Sequence, residues 1–187
     1  MHRRPLLALI EAHRTRHPED DERARAVMRF VRGHVDCFER RCAPGHVTGS
    51  AWIVSPDHGQ VLLTHHRKLG RWLQLGGHAD GDPDVFAVAL REAREESGLS
   101  HFSTLPGGAE RLLDLDVHEI PAHRGEPAHL HHDVRFLLIA APGQTLRCSE
   151  ESEALRWVPW ADLPELATEA SLLRMARRAQ LLLEQAG

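Results

Sequence analysis

Residues 76–99 read GGHADGDPDVFAVALREAREESGL, and this stretch decides the fold. A loop rich in glycine and aspartate leads into residues 84–97, where apolar side chains recur at intervals of three and four, which predicts a helix. At about 100° per residue, Glu92, Glu95 and Glu96 fall within one arc at the boundary between core and solvent. The residues of the neighbouring, buried arc are apolar: Phe86, Ala89, Leu90 and Ala93.

Three carboxylates at this spacing repel one another, and a bound divalent cation would relieve the repulsion. Hard oxygen ligands suit Mg²⁺ or Mn²⁺, which also take oxygens from a substrate phosphate. The alternative is an ordinary solvated acidic helix face whose charge is offset by Arg91 and Arg94. The helical pattern by itself is compatible with both interpretations.

The segment resembles the Nudix box, whose pattern is G, five residues, E, seven residues, then R-E-hydrophobic-x-E-E-x-G-hydrophobic. Gly77 matches the opening glycine, whereas Pro83 stands where the pattern has glutamate. Asp82 or Asp84 can substitute for that glutamate. Asp82 is equally well placed as the N-cap of a helix with Pro83 in its first position. The second half matches in register: Arg91, Glu92, Ala93, Glu95, Glu96, Gly98 and Leu99.

The resemblance spans about residues 46–165, because WLQLGG precedes the box and LRWVPW follows it as in the family. It implies hydrolysis of a diphosphate linkage in a nucleoside diphosphate derivative by a metal-activated water, with Mg²⁺ or Mn²⁺ as cofactor. By resemblance, Glu95 and Glu96 are the leading metal ligands and catalytic residues, and Glu92 is a further ligand. Arg91 orients the glutamates.

Two further residues complete the site that the resemblance implies. The backbone carbonyl of Gly76 or Gly77 is expected to complete the metal shell, since glycine lets the backbone approach a ligand closely. Some family members carry a catalytic glutamate before the late tryptophan strand, where this chain has Glu151 and Glu153. We expect Glu151 to be the general base, and the alternative is an exposed acidic loop.

A second polar stretch, HLHHDVR at residues 129–135, is predicted to be part of a strand. Alternate residues of a strand share a face, so His129, His131, Asp133 and Arg135 would lie together. With His78 of the box loop and the pair His65-His66, they could form a histidine-rich rim around a substrate. The predicted substrate-binding residues are His78, His129, His131 and Arg135. The alternative is a polar strand face without a special role.

Four potential zinc ligands lie upstream of the box, but their spacing matches no structural zinc motif. They are His34, Cys37, Cys42 and His46.

The order of predicted elements is helix, mixed strands, helix, strands, helix, which indicates an α+β protein. We expect an α/β/α sandwich of the Nudix type, with a mixed sheet flanked by helices. Residues 1–45 are predicted to form an N-terminal helical extension packed on a hydrolase domain at residues 46–187. Strands are predicted at residues 47–55, 60–65, 71–76, 111–119, 129–140 and 155–160, and the last helix at residues 170–185.

Composition bounds the class of protein. The 187 residues, 42% of them hydrophobic, suffice for one core without disulfides. A formal charge of −4 indicates neither a specific nucleic-acid partner nor an anionic membrane. Three cysteines cannot form a paired disulfide framework, and residues 1–10 carry too short an apolar run for a signal or membrane segment. We expect a cytoplasmic protein, a homodimer, with a small phosphorylated molecule as its substrate.

Subgroup markers narrow the substrate without choosing it. The chain contains no tyrosine, the marker of the diadenosine-polyphosphate type, and has Asp114 where the ADP-ribose type has proline. Residues 60–76 lack the coenzyme A pattern. Two alternatives to a hydrolase remain: a catalytically weak regulatory module that binds a nucleotide or sugar nucleotide, and an isopentenyl diphosphate isomerase. The isomerase needs a catalytic cysteine, and neither Cys37 nor Cys42 has the required setting.

Overall fold

A computed structural model of the chain describes residues 2–107, 111–122, 127–150, 152–166 and 169–186. The helices in this part are α1 Arg4–Arg16, α2 Asp21–Gly33, α3 Val85–Ser97, α4 Leu163–Leu166 and α5 Ala170–Ala186. The strands are β1 Gly45–Val54, β2 Gln60–His66, β3 Arg71–Leu73, β4 Leu75–His78, β5 Phe102–Ser103, β6 Asp114–Ile120, β7 His129–Ala140 and β8 Ser152–Pro159.

The described strands form one eight-stranded mixed sheet. β1 lies at its centre, parallel to β7 and antiparallel to β2 and β4. The parallel register pairs His46 with His131 and Thr48 with Asp133. β5 and β6 add to β7, and β3 and β8 add to β2, all antiparallel.

The two faces of the sheet are covered by different helices, because successive side chains of a strand point to opposite sides. Val47 packs in one cluster with apolar residues of α1, α2 and α3. Trp52, which is 0% exposed, packs on the other face with apolar residues of α5. The expected α/β/α sandwich with a mixed sheet and an N-terminal helical region is confirmed.

The close approach of α3 to the sheet depends on Gly49 of β1. A Cβ atom there would lie 2.7 Å from the backbone oxygen of Val85 and 2.9 Å from the side chain of Val88. Only glycine leaves this space open, so the box helix packs directly on the central strand.

The N-terminal helices share the core of the sheet. The apolar side chains of α1 and α2 that lie in the same cluster as Val47 are Leu6, Ile10, Val27, Met28 and Val31. Asp20, fully buried between the two helices, accepts a hydrogen bond from His13 at 2.7 Å and pairs with Arg178 of α5 at 2.6 Å. This ion pair links the N-terminal region to the last helix.

Several local details differ from the predictions. A single 3₁₀ turn at Pro18–Asp20 separates the two helices of the predicted N-terminal helical extension, because proline lacks the N–H that a continuing helix needs. The predicted strand at residues 71–76 is two strands, β3 and β4. The N-cap of α3 is Asp84 rather than Asp82, since the side chain of Asp84 accepts the hydrogen bond from Ala87 N at 3.1 Å.

No helix in the described part of the chain combines the length and the apolar character needed to cross a membrane.

Candidate functional site

The box helix places two of its glutamates against the paired glycines of β4. Glu96, which is 7% exposed, accepts a hydrogen bond from Gly76 N at 3.0 Å. Glu92 lies against Gly77, where a Cβ atom would come within 2.6 Å of the Glu92 carboxyl carbon. The backbone of the glycine pair therefore forms a cradle for the two carboxylates, and a side chain at Gly77 would fill the space that Glu92 occupies.

Arg91 links the carboxylate of Glu92 to β4. Its guanidinium donates to the backbone oxygen of His78 at 2.7 Å and to Glu92 at 2.8 Å. The hydrogen bond from Arg91 to Glu92 raises the pKa of Arg91, and the nearby negative charge of Glu95 adds to the shift. Arg91 thus stays charged and holds Glu92 through this hydrogen bond.

Glu95 differs from its two neighbours because its side chain is exposed. Within the described residues, one group of at least three histidine, cysteine or acidic side chains has ligand atoms within 4.8 Å of one another, and it consists of histidines. The three box glutamates are thus not gathered into a closed cage. Their oxygens nonetheless suit Mg²⁺ or Mn²⁺, which keep several waters and need few protein ligands.

Behind the glycine pair lies a buried carboxylate, Asp133 of β7, on the α5 side of the sheet. It accepts hydrogen bonds from Thr48 at 2.9 Å, Ser50 at 2.8 Å and Arg135 at 2.7 Å. Gln74 donates a fourth, at 3.2 Å. Burial alone would raise the pKa of the Asp133 carboxyl, but the charge of Arg135 and these hydrogen bonds hold it below its ordinary value.

The side chain of Arg135 is 3% exposed and also pairs with Asp114 at 3.2 Å and Asp116 at 3.3 Å. Its guanidinium is enclosed by three carboxylates, and its contact with a substrate stays a prediction. The alternation in β6, residues 114–120, puts Asp114 and Asp116 on the face that meets Arg135. This alternation of acidic residues is the one feature of the sequence that indicates ion-pair partners for Arg135.

The other predicted substrate-binding residues lie together. Ring centroids of His129 and His131 are 5.3 Å apart, and those of His78 and His131 are 5.0 Å apart. His46 joins them, with centroids 4.8 Å from His78, 4.9 Å from His129 and 4.8 Å from His131. His46 was predicted only as part of the upstream zinc-type pattern, because nothing in the sequence reveals that β1 and β7 are parallel neighbours.

Burial lowers the pKa of His78 to about 4, aided by the positive charge of Arg40 and by His46. Burial and the neighbouring His78, His46 and His118 lower the pKa of His131 to about 2. At neutral pH both rings are therefore neutral.

The remaining candidates are the glutamates at residues 151 and 153 and two cysteines. Glu151, the predicted general base, is outside the described residues. Glu153 is in β8 and pairs with His65 of β2 at 2.7 Å. Cys37 and Cys42 are buried in the core with apolar residues, and burial raises the pKa of each thiol to about 11.

Two surface cavities lie away from the box glutamates. One, of about 310 Å³, is lined by residues of α1 and α2, including Arg14, Arg25 and Arg32. The other, of about 360 Å³, is lined by residues such as Gln60 and Trp157. No box glutamate lines either cavity.

Comparison with known proteins identifies a family and solved structures that the chain is similar to. The NUDIX domain family matches residues 45–178, well over half of the chain. No curated protein matches the chain.

Similar solved structures include a NUDIX family hydrolase from Clostridium perfringens, at 26% identity over 73% of this chain and 97% of that one, with a TM-score of 0.50. An Ap4A hydrolase from C. elegans, crystallised as a binary complex, is similar at 15% identity over 74% of this chain and 98% of that one, with a TM-score of 0.59. The NUDIX domain of Shewanella oneidensis NrtR, in complex with ADP ribose, is similar at 17% identity over 73% of this chain and 87% of that one, with a TM-score of 0.50. The last two likenesses show the fold.

Proposed function

The chain belongs to the NUDIX domain family and is a Nudix-type pyrophosphohydrolase, and we propose that it hydrolyses a diphosphate linkage in a nucleoside diphosphate derivative with Mg²⁺ or Mn²⁺. The observation that carries the proposal is the cradle at Gly76 and Gly77. It holds the carboxylates of Glu92 and Glu96 in place, and a substitution at Gly77 would push against Glu92.

Glu92, Glu95 and Glu96 would hold the metal, with the carbonyl of Gly77 beside them. The donor set supports this assignment, because it consists of hard oxygen atoms. When bound, a divalent cation neutralises the charge of diphosphate oxygens and makes water a better nucleophile. Arg91 keeps Glu92 in one orientation through its bonds to that carboxylate and to the strand.

Glu95 remains exposed beside Arg91 and is proposed as the carboxylate that faces the substrate side. Glu151 stays a proposal as the general base. His78, His129 and His131 are proposed to border the substrate, because imidazole nitrogens can form hydrogen bonds with phosphate groups.

A substrate panel tests the proposal. The full chain is incubated with Mg²⁺ or Mn²⁺ and with nucleoside triphosphates, sugar nucleotides, dinucleotides including Ap4A, ADP ribose and coenzyme A. Phosphate release is followed with and without added phosphatase. For the preferred substrate, Glu96→Gln should lower kcat/KM at least about 100-fold, because even residues that only support metal ligands cost 10–100-fold.

The matched control is Glu184→Gln, an exposed glutamate of α5, which should retain wild-type turnover. Tight binding of one compound without turnover would favour the alternative function, a regulatory module that binds a nucleotide or sugar nucleotide. Equal turnover in wild type and Glu96→Gln would contradict the proposed site.

We also propose a cytoplasmic homodimer with residues 1–45 as an extension of the hydrolase domain. Three unpaired cysteines support a reducing compartment. Val35 and Leu181, which are 68% and 56% exposed, are apolar surface that a second copy could cover. Sedimentation of the full chain should give twice the mass of one copy, and a monomer at all concentrations would exclude the dimer.

A further inference from the structure

A histidine group lies on the face of the sheet opposite the box helix. His46 of β1 and His131 of β7 are register partners, and His129 follows two residues away on the same face of β7. One ligand atom from each of the three lies within 4.8 Å of the other two. His46 is 3% exposed, and the other two side chains are half-buried, so the group is open to solvent on one side.

The group is separate from the box carboxylates although β4 connects the two. Gly77 faces α3 and contacts Glu92, whereas the next residue, His78, points to the opposite face of the sheet, where its ring meets His46 and His131. The donors also differ, since one site offers oxygens and the other offers imidazole nitrogens. Imidazole suits zinc and similar ions, whereas carboxylates suit magnesium.

One ring nitrogen of His129 and one of His131 are available to a metal ion. Nδ1 of His129 donates to the backbone oxygen of Pro127 at 3.0 Å, so Nε2 is the ring nitrogen left for a metal ion. A ring nitrogen bonded to a backbone carbonyl in this way is the usual support of a metal-binding histidine. Nε2 of His131 is buried and has no hydrogen-bond partner among the described residues. An unpartnered buried nitrogen is costly unless a ligand satisfies it.

We propose that His46, His129 and His131 form a binding site for a divalent transition-metal ion of the zinc class. Zinc–nitrogen distances of 2.0–2.1 Å place the nitrogens of a tetrahedral site about 3.4 Å apart. Side-chain rotations that shorten the longest nitrogen–nitrogen distance by about 1.4 Å would therefore bring the three rings to a common ion. Three histidines leave one coordination position open. The rings of His78 and His118 lie nearby, with centroids 5.0 Å and 5.5 Å from that of His131. Metal binding at this site does not depend on the proposal that the chain hydrolyses a diphosphate linkage.

Metal content of the full, untagged chain tests the site. The protein is stripped with a chelator and equilibrated with Zn²⁺ or Co²⁺ in the presence of excess Mg²⁺. Bound metal is then measured by mass spectrometry and by competition with a chromophoric chelator. Wild type should bind one equivalent of Zn²⁺, and Co²⁺ should give the visible absorption of a nitrogen-coordinated ion. His129→Gln, at a half-buried position that tolerates change, should weaken Zn²⁺ binding at least about 100-fold.

Two variants serve as matched controls. His101→Gln removes an exposed histidine outside the group, and Glu96→Gln removes a box carboxylate, so both should bind Zn²⁺ as wild type does. His131→Gln should lose the ion as well, and circular dichroism establishes whether that variant is folded. If it is not, His129→Gln decides alone.

No bound Zn²⁺ in the wild type, or equal binding in wild type and His129→Gln, would overturn the site. Loss of Zn²⁺ in Glu96→Gln with retention in His129→Gln would also overturn it, because the ion would then sit at the box carboxylates. A rise in the thermal midpoint with Zn²⁺ in wild type but not in His129→Gln supports the site independently of activity.

Discussion

At the residue scale, a substitution at Gly77 should lower the activity with little effect on the stability of the fold. In Gly77→Ala the new Cβ would lie 2.6 Å from the Glu92 carboxyl carbon, so that carboxylate must move about 0.8 Å to reach ordinary contact at 3.4 Å. The moving atoms are the end of a flexible side chain, and the thermal midpoint should change by less than about 2 °C. A displacement of this size in the Glu92 carboxylate, a proposed metal ligand, should lower kcat/KM about 10–100-fold.

The measurement combines steady-state kinetics at several Mg²⁺ concentrations with thermal unfolding. Gly33→Ala is the control, because a Cβ there meets no atom within 4 Å. Unchanged turnover in Gly77→Ala would show that the position of Glu92 is not important for the reaction.

Individual residues also show where prediction from sequence succeeds. Arg91, Glu92 and Glu96 could be located because helical periodicity and the box fix them within a single element. Arg135 could not be interpreted in this way, because its burial depends on carboxylates contributed by another strand and by β7 itself. A strand face that is polar in sequence is therefore compatible with a buried ion-pair network as well as with a substrate cleft.

At the scale of elements, the start of the box helix is fixed by Asp84. Its carboxylate accepts from Ala87 N, and the preceding Asp82 accepts from Asp84 N at 2.9 Å. Asp84→Ala leaves an N–H of the first turn without its partner and should lower the free energy of unfolding by about 1 kcal/mol. This corresponds to a fall of about 2–4 °C in the thermal midpoint.

Asp84→Asn is the matched variant, since asparagine caps helices as well as aspartate does and should keep wild-type stability. Differential scanning calorimetry of both variants provides the comparison. A loss of stability in Asp84→Asn equal to that in Asp84→Ala would show that the charge, and not the cap, stabilises the helix.

Elements with a strong local pattern were predicted closely, whereas their pairing was not. The predicted strand at residues 129–140 has the observed bounds of β7, and the predicted last helix at 170–185 differs from α5 by one residue. Parallel pairing of β1 with β7 joins segments about 85 residues apart, and a period of two in each strand carries no information on its partner. The histidine group, which needs that pairing, was therefore only partly foreseen.

At the scale of the whole molecule, one buried polar chain joins the N-terminal helices, α5 and the centre of the sheet. Arg178 bridges Asp20 and Asp114, and Asp114 pairs with Arg135, which in turn holds Asp133. Each charge in the series is opposed by its neighbours, so removal of one member leaves buried charge uncompensated. The stability of the N-terminal region should thus be coupled to the sheet.

Asp20→Asn tests this coupling and its dependence on pH. Burial alone would raise the pKa of the Asp20 carboxyl, but hydrogen bonds from His13 and Arg178 outweigh it and hold the pKa well below the ordinary 3.8. A carboxyl with a depressed folded pKa stabilises the protein above its unfolded pKa, and the contribution is lost progressively as the pH falls below that value.

At pH 7 we therefore expect Asp20→Asn to unfold with a free energy about 3 kcal/mol lower than that of wild type in urea. The difference should persist to pH 5 and begin to shrink below the ordinary carboxyl pKa of 3.8, because the wild-type unfolded chain then takes up a proton that the folded chain refuses. Asp162→Asn, at an exposed position, should show no difference at either pH. A deficit in Asp20→Asn that stays constant from pH 7 to pH 3 would mean that the aspartate contributes through packing and not through its charge.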